Sequence, residues 1–99
     1  MHLDSSGGIS ILTKDSGISG VSGDISVHTG TSSGGISGSI TLSTGAARDA
    51  TAGGINLLVG TGDENDGGNV LIVAGTSSAE AHSGGAVTIQ GGEGANTQV

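Results

Sequence analysis

The chain of 99 residues has no Cys, no Pro and no Phe, Trp or Tyr, and its only basic residues are Lys14 and Arg48, set against nine acidic ones. Without Cys there is no disulfide scaffold, no thiol nucleophile and no Cys-ligated zinc. Without aromatic rings the chain lacks the side chains that bury the most area apiece, and a domain this short is already marginal in the surface it can bury. An ordinary globular core is not expected. The net charge of −7 excludes a nucleic-acid partner, because neutralising phosphates needs a basic surface. It disfavours anionic membranes for the same reason. No apolar run approaches the length of a membrane span, so membrane insertion is not expected either.

What is present is glycine, 22 residues of it, with Ser, Thr and Ala making up much of the rest. Such a composition reads first as disorder, but the aliphatic residues are not scattered. Six segments share the form Gly-x-[Ile/Val]-x-[Ile/Leu/Val], from Gly7-Gly8-Ile9-Ser10-Ile11 to Gly85-Ala86-Val87-Thr88-Ile89. Their first aliphatics fall at 9, 25, 40, 55, 70 and 87, in steps of 16, 15, 15, 15 and 17. A second glycine follows each pair at Gly30, Gly45, Gly60, Gly75 and Gly92, with Lys14 in its place in the first unit. This is an internal repeat of about fifteen residues.

Each unit alternates apolar and polar residues, the period of a half-buried strand. Stretches such as Thr31-Ser32-Ser33-Gly34-Gly35 and Gly62-Asp63-Glu64-Asn65-Asp66-Gly67 are turn-formers, and glycine at this density weakens any helix. The chain therefore reads as all-β. An antiparallel meander and a parallel β-solenoid both fit. The unchanging polarity of the units, glycine before the pair and glycine after it, favours the solenoid (a β-helix or β-roll), in which like residues stack.

The expectation is one domain over residues 1–99, with about six coils of 15–17 residues near 5–20, 21–35, 36–50, 51–65, 66–82 and 83–99. Ile9, Ile25, Ile40, Ile55, Val70 and Val87 would form one core ladder, and Ile11, Val27, Leu42, Leu57, Ile72 and Ile89 a second. Small residues such as Ala47, Ala50 and Ala52 would line the facing wall. Gly23, Gly30, Gly38, Gly45, Gly53, Gly60, Gly68, Gly75 and Gly85 would turn the corners where φ is positive. The absence of Pro fits, since Pro removes a ladder donor.

Function is expected at the ends and on the outer face. The repeat starts by residue 5 and finishes in a loop-like stretch, so bare terminal coils would stack on further copies, a head-to-tail contact that generates filaments. Leu12, Leu58, Leu71 and Val73 would point outward and offer a lateral interface, where Ser26, His28, Thr41 and Ser43 are polar in other units. Catalytic signals are weak. His2, His28 and His82 share no face, and no Gly-x-Ser-x-Gly elbow can be built. Asp63-Glu64-Asn65-Asp66 departs from the calcium-loop pattern at Gly67 and lacks the bidentate Glu. The glycine-rich loops have no helix N-terminus behind them to bind phosphate. No catalytic residue, metal or cofactor is expected. There is no Asn-x-Ser/Thr acceptor, while the exposed hydroxyls permit O-linked glycan.

Residues 22–35, Ser-Gly-Asp-Ile-Ser-Val-His-Thr-Gly-Thr-Ser-Ser-Gly-Gly, and residues 37–46, Ser-Gly-Ser-Ile-Thr-Leu-Ser-Thr-Gly-Ala, resemble the Gly/Ser/Thr-rich short repeats of β-solenoid proteins at algal and microbial cell surfaces. The likeness is one of composition and period over roughly residues 5–93. It implies an extracellular or cell-surface structural protein and transfers no catalytic residue. Met1-His2-Leu3-Asp4 lacks the apolar core of a signal peptide. Three functions are therefore weighed. The leading one is a non-enzymatic fibre protein assembling with itself. An ice-binding β-solenoid would use Thr13, Thr29 and Thr44, a row that continues as Val59, Ala74 and Gly91. A carbohydrate-active or carbohydrate-binding β-helix lacks both the rings and the paired acids it would need.

Overall fold

Turn-forming residues set the rhythm of the chain. In a computed structural model that describes residues 5–95, two units are distinguished, Met1–Gly53 and Gly54–Val99. In the first, the chain reverses at residues 18–19, 33–35 and 48–50; in the second, at 63–65 and 79–81. Local polar groups hold these reversals, as expected for Gly and Ser in turns. The Gly20 N–H donates to Gly17 O at 3.3 Å. The Gly35 N–H donates to Ser32 Oγ at 3.1 Å, and the Ala79 N–H to Ser77 Oγ at 3.3 Å.

Each reversal belongs to a loop whose two ends meet. Thr29 Oγ1 donates to Gly38 O at 3.1 Å and Thr44 Oγ1 to Gly53 O at 3.0 Å, each across nine residues. In the second unit the Gly85 N–H donates to Gly75 O at 2.8 Å. Between the closures run short extended connectors, Gly23 to Thr29, Gly38 to Thr44, Gly53 to Val59 and Gly68 to Ala74, which carry the aliphatic pairs. A nine-residue loop and a six-residue connector together make the fifteen-residue period.

The expected parallel β-solenoid is not formed. Among the described residues there is no helix and no strand, and the connectors are extended without being joined into a sheet. The β-helix reading falls with it. The first ladder (Ile9, Ile25, Ile40, Ile55, Val70, Val87) and the second (Ile11, Val27, Leu42, Leu57, Ile72, Ile89) enclose no core, for these residues are exposed by 49% at Val87 to 93% at Ile9. No described residue is buried, and only Thr13, Ala74 and Ser77 are partly covered.

The physical reason is a shortage of backbone pairing: the closures bind each loop to itself, and no connector takes part in a backbone–backbone hydrogen bond. Only two backbone–backbone hydrogen bonds form among the described residues, Gly20 to Gly17 and Gly85 to Gly75, whereas folded chains hold roughly one hydrogen bond per residue. Aliphatics on unpaired backbones cannot stack at sheet spacing. A chain so rich in glycine also loses much conformational entropy on ordering.

The corner glycines need a correction too. None of the described glycines has positive φ; that conformation is taken by Asp49 (φ 58°) and Ala81 (φ 62°). Asp visits this region readily and Ala does not. Ala81→Gly is therefore expected to strengthen the loop closed by the Gly85 N–H, by about 1 kcal/mol. Hydrogen exchange at the Gly85 amide should slow about fivefold, the rate equivalent of that energy. Unchanged exchange at that amide would contradict the strain assigned to Ala81.

Candidate functional site

The side chains with reactive chemistry do not converge. Among the described residues there is no pocket and no group of three or more His, Asp or Glu arranged to hold a metal ion. His28 and His82 are exposed, and His2 lies outside the described residues, as do the chain ends, residues 1–4 and 96–99. The acidic stretch Asp63-Glu64-Asn65-Asp66 forms an exposed bend. Gly62 fits closely there, since a Cβ at that position would lie 3.3 Å from Asn65 O and 3.4 Å from Asp66 O. No helix is long and apolar enough to cross a membrane among the described residues.

Thr13, Thr29 and Thr44 turn out to be the clamps of the loops. Besides the two hydroxyl bonds, their methyl groups rest on the glycines that open the next connector. A Cβ on Gly23, Gly38 or Gly53 would lie 3.5, 3.4 or 3.9 Å from the Cγ2 of Thr13, Thr29 or Thr44. In the second unit Val59 and Ala74 take the same place. Val59 Cγ1 would be 2.8 Å from a Cβ on Gly68, and Ala74 Cβ 3.8 Å from one on Gly85. The row changes from Thr to Val to Ala because the essential contact is a methyl group on a glycine. The hydroxyls of Thr29 and Thr44 are turned to backbone carbonyls rather than presented as a free plane.

The two glycine rows thus differ. Gly23, Gly38, Gly53, Gly68 and Gly85 each face a clamp residue of the same chain. Gly30, Gly45, Gly60 and Gly75 have nothing within 4 Å of a Cβ, and their φ is not positive. Neither crowding nor conformation within one chain explains glycine at these four places.

The dominant feature is apolar surface. Leu12, Leu58, Leu71 and Val73 are exposed, but so are the ladder residues, and no difference in exposure marks them out as a separate patch. Alternation persists weakly: Leu71 is 83% exposed between Val70 at 54% and Ile72 at 60%. Ile18, Val21 and Ile36, which the repeat pattern passes over, are also fully open. Their signal is the tetrapeptide Gly-Ile-Ser-Gly, found at residues 17–20 and 35–38, with Gly-Val-Ser-Gly at residues 20–23.

The surface can be weighed against what folding normally leaves. The chain exposes 10438 Å² for a mass of 9.2 kDa. Two compact bodies of half that mass would together expose about 5,900 Å², so about 4,500 Å² is in excess even when the two units are counted separately. Chemically, this arrangement offers aliphatic side chains and unpaired peptide groups on the same short segments. No family model matches the chain, and no curated protein and no solved structure matches it.

Proposed function

We propose that this is a structural, non-enzymatic protein that assembles with copies of itself into a fibre or surface filament outside the cell. One observation carries the reading: a single copy leaves every large aliphatic side chain of its repeat exposed, and soluble monomers rarely expose contiguous apolar surface on this scale. Covering such surface is the main driving force for association. A repeat distributes that drive evenly along the chain, which suits an assembly that grows by adding copies. The extracellular setting rests on the likeness to Gly/Ser/Thr-rich surface repeats, and the abundant Ser and Thr hydroxyls would accept O-linked glycan there.

Electron microscopy of concentrated protein, with sedimentation of the same sample, tests the reading. Filaments of uniform width and fast-sedimenting material are expected. Uniformly single chains at the highest soluble concentration would overturn it.

A further inference from the structure

We infer that the contact between copies is made by the connectors, each pairing edge to edge, in parallel and in register, with the equivalent connector of a second copy. This rests on the self-assembly reading above and adds the surface by which it occurs. The sheet so formed lies between molecules; the described residues of a single chain have none.

The connectors are built for such pairing. Gly23 to Thr29 and Gly38 to Thr44 alternate aliphatic and polar residues, Gly53 to Val59 and Gly68 to Ala74 end in runs of aliphatic ones, and none of their amides or carbonyls takes part in either of the described backbone–backbone hydrogen bonds. Backbone groups carried into an apolar contact must find partners; beyond Gly38 O and Gly53 O, which accept the Thr29 and Thr44 hydroxyls, an extended segment with free donors and acceptors is a template for another strand. The area is sufficient. A standard interface covers about 800 Å² of each partner, and the excess of about 4,500 Å² allows a neighbour along both edges.

The occupant is set by the spacing. To engage all six aliphatic segments of the repeat at once, a partner must space its own in steps of 16, 15, 15, 15 and 17. A second copy at zero offset does so in full. Shifting it by one unit, or reversing it, misaligns the longer first and last steps. The second glycine row is then explained. Gly30, Gly45 and Gly60, where a Cβ would meet nothing in one chain, directly follow the connectors, and the lack of a side chain there lets a neighbouring backbone approach closely where the paired segments run into their loops.

The absence of Cys gives a direct test in the full-length chain. Thr41→Cys and Asn56→Cys lie at equivalent places in adjacent units. Each is assembled with added oxidant, alone and as a mixture of differently mass-tagged chains. In-register parallel neighbours hold equivalent residues one strand apart, about 4.8 Å, within disulfide reach. Cross-links between like variants should exceed those between unlike variants at least tenfold. Sedimentation under reducing conditions first establishes that the variants assemble; Ser26→Cys replaces either one that does not.

Assembled protein with like and unlike cross-links in random proportion, or with unlike ones in excess as a one-unit shift or reversed pairing would give, overturns the inference and leaves the fibre reading standing. Single chains for the unsubstituted protein overturn the fibre reading itself. As a second readout, Gly45→Ala and Gly60→Ala, which one chain accommodates in open space, should each lower the assembled fraction at least tenfold. Unchanged assembly in both would also overturn the inference.

Discussion

Dilution is expected to abolish the β-sheet signature of this protein. At concentrations where sedimentation finds assemblies, far-ultraviolet circular dichroism and the amide I infrared band should report sheet. Where sedimentation finds single chains, both should report turns and irregular backbone only. The expectation comes from the described backbone, in which the two backbone–backbone hydrogen bonds belong to a turn and a loop closure. Salt should move the transition in a defined direction. Copies of a chain with net charge −7 repel one another, and screening weakens repulsion between exposed charges. Raising the ionic strength should therefore lower the concentration at which sheet appears. A sheet signal that persists in sedimentation-defined single chains would show that one copy pairs its own connectors, contrary to the fold described above.

The second large effect is expected from a charge on a connector. Ile40 is 61% exposed in the single chain, so Ile40→Asp should leave that chain almost unchanged. In an assembly the same side chain is covered. Replacing it forfeits about 2 kcal/mol of apolar burial, and desolvating the carboxylate costs several kcal/mol more. Since each 1.4 kcal/mol is about tenfold in an equilibrium constant, the concentration needed for half assembly should rise at least about a thousandfold. Ile40→Val, which removes one methylene at a cost of about 1 kcal/mol, should raise it by less than about tenfold. A light-scattering titration of the three proteins measures both shifts. Equal assembly by Ile40→Asp and the unsubstituted chain would mean that the aliphatic rows remain in water, and the fibre reading would lose its driving force.

The period of the chain was legible from residue types alone, because the aliphatic pairs and their flanking glycines recur in a fixed order. The reversals at 33–35 and 63–65 lie within stretches whose Ser, Gly, Asp and Asn residues favour turns. The solenoid went further than the pattern allows. A row such as Ile25, Ile40 and Ile55 says that equivalent residues want equivalent neighbours, and it is silent on whether those neighbours belong to the same molecule. That choice depends on where each loop closes, which is decided by Thr29 on Gly38 and Thr44 on Gly53, contacts nine residues apart with no hydrophobic signature.

The candidate site was legible in its members and misread in its roles. Thr13, Thr29 and Thr44 stood out as a row, and only the methyl-on-glycine contact explains why Val59 and Ala74 continue it. Spacing alone puts the glycines in one class of corner residue. Their geometry separates a clamped row from an open one, a distinction of neighbours rather than of residue type. Ile18, Val21 and Ile36 fall inside the loops, where aliphatic residues carry no strand-like alternation.

The unequal lengths of the units have a simple origin with a practical consequence. Thr13 to Gly23 spans ten residues and Ala74 to Gly85 eleven, while Gly23 to Thr29, Gly38 to Thr44, Gly53 to Val59 and Gly68 to Ala74 each span six. All the variation sits on the clamped arcs and none on the segments between them. Such arcs are where grafted peptides should be tolerated best, because lengthening an arc leaves the six-residue segment that follows it unchanged.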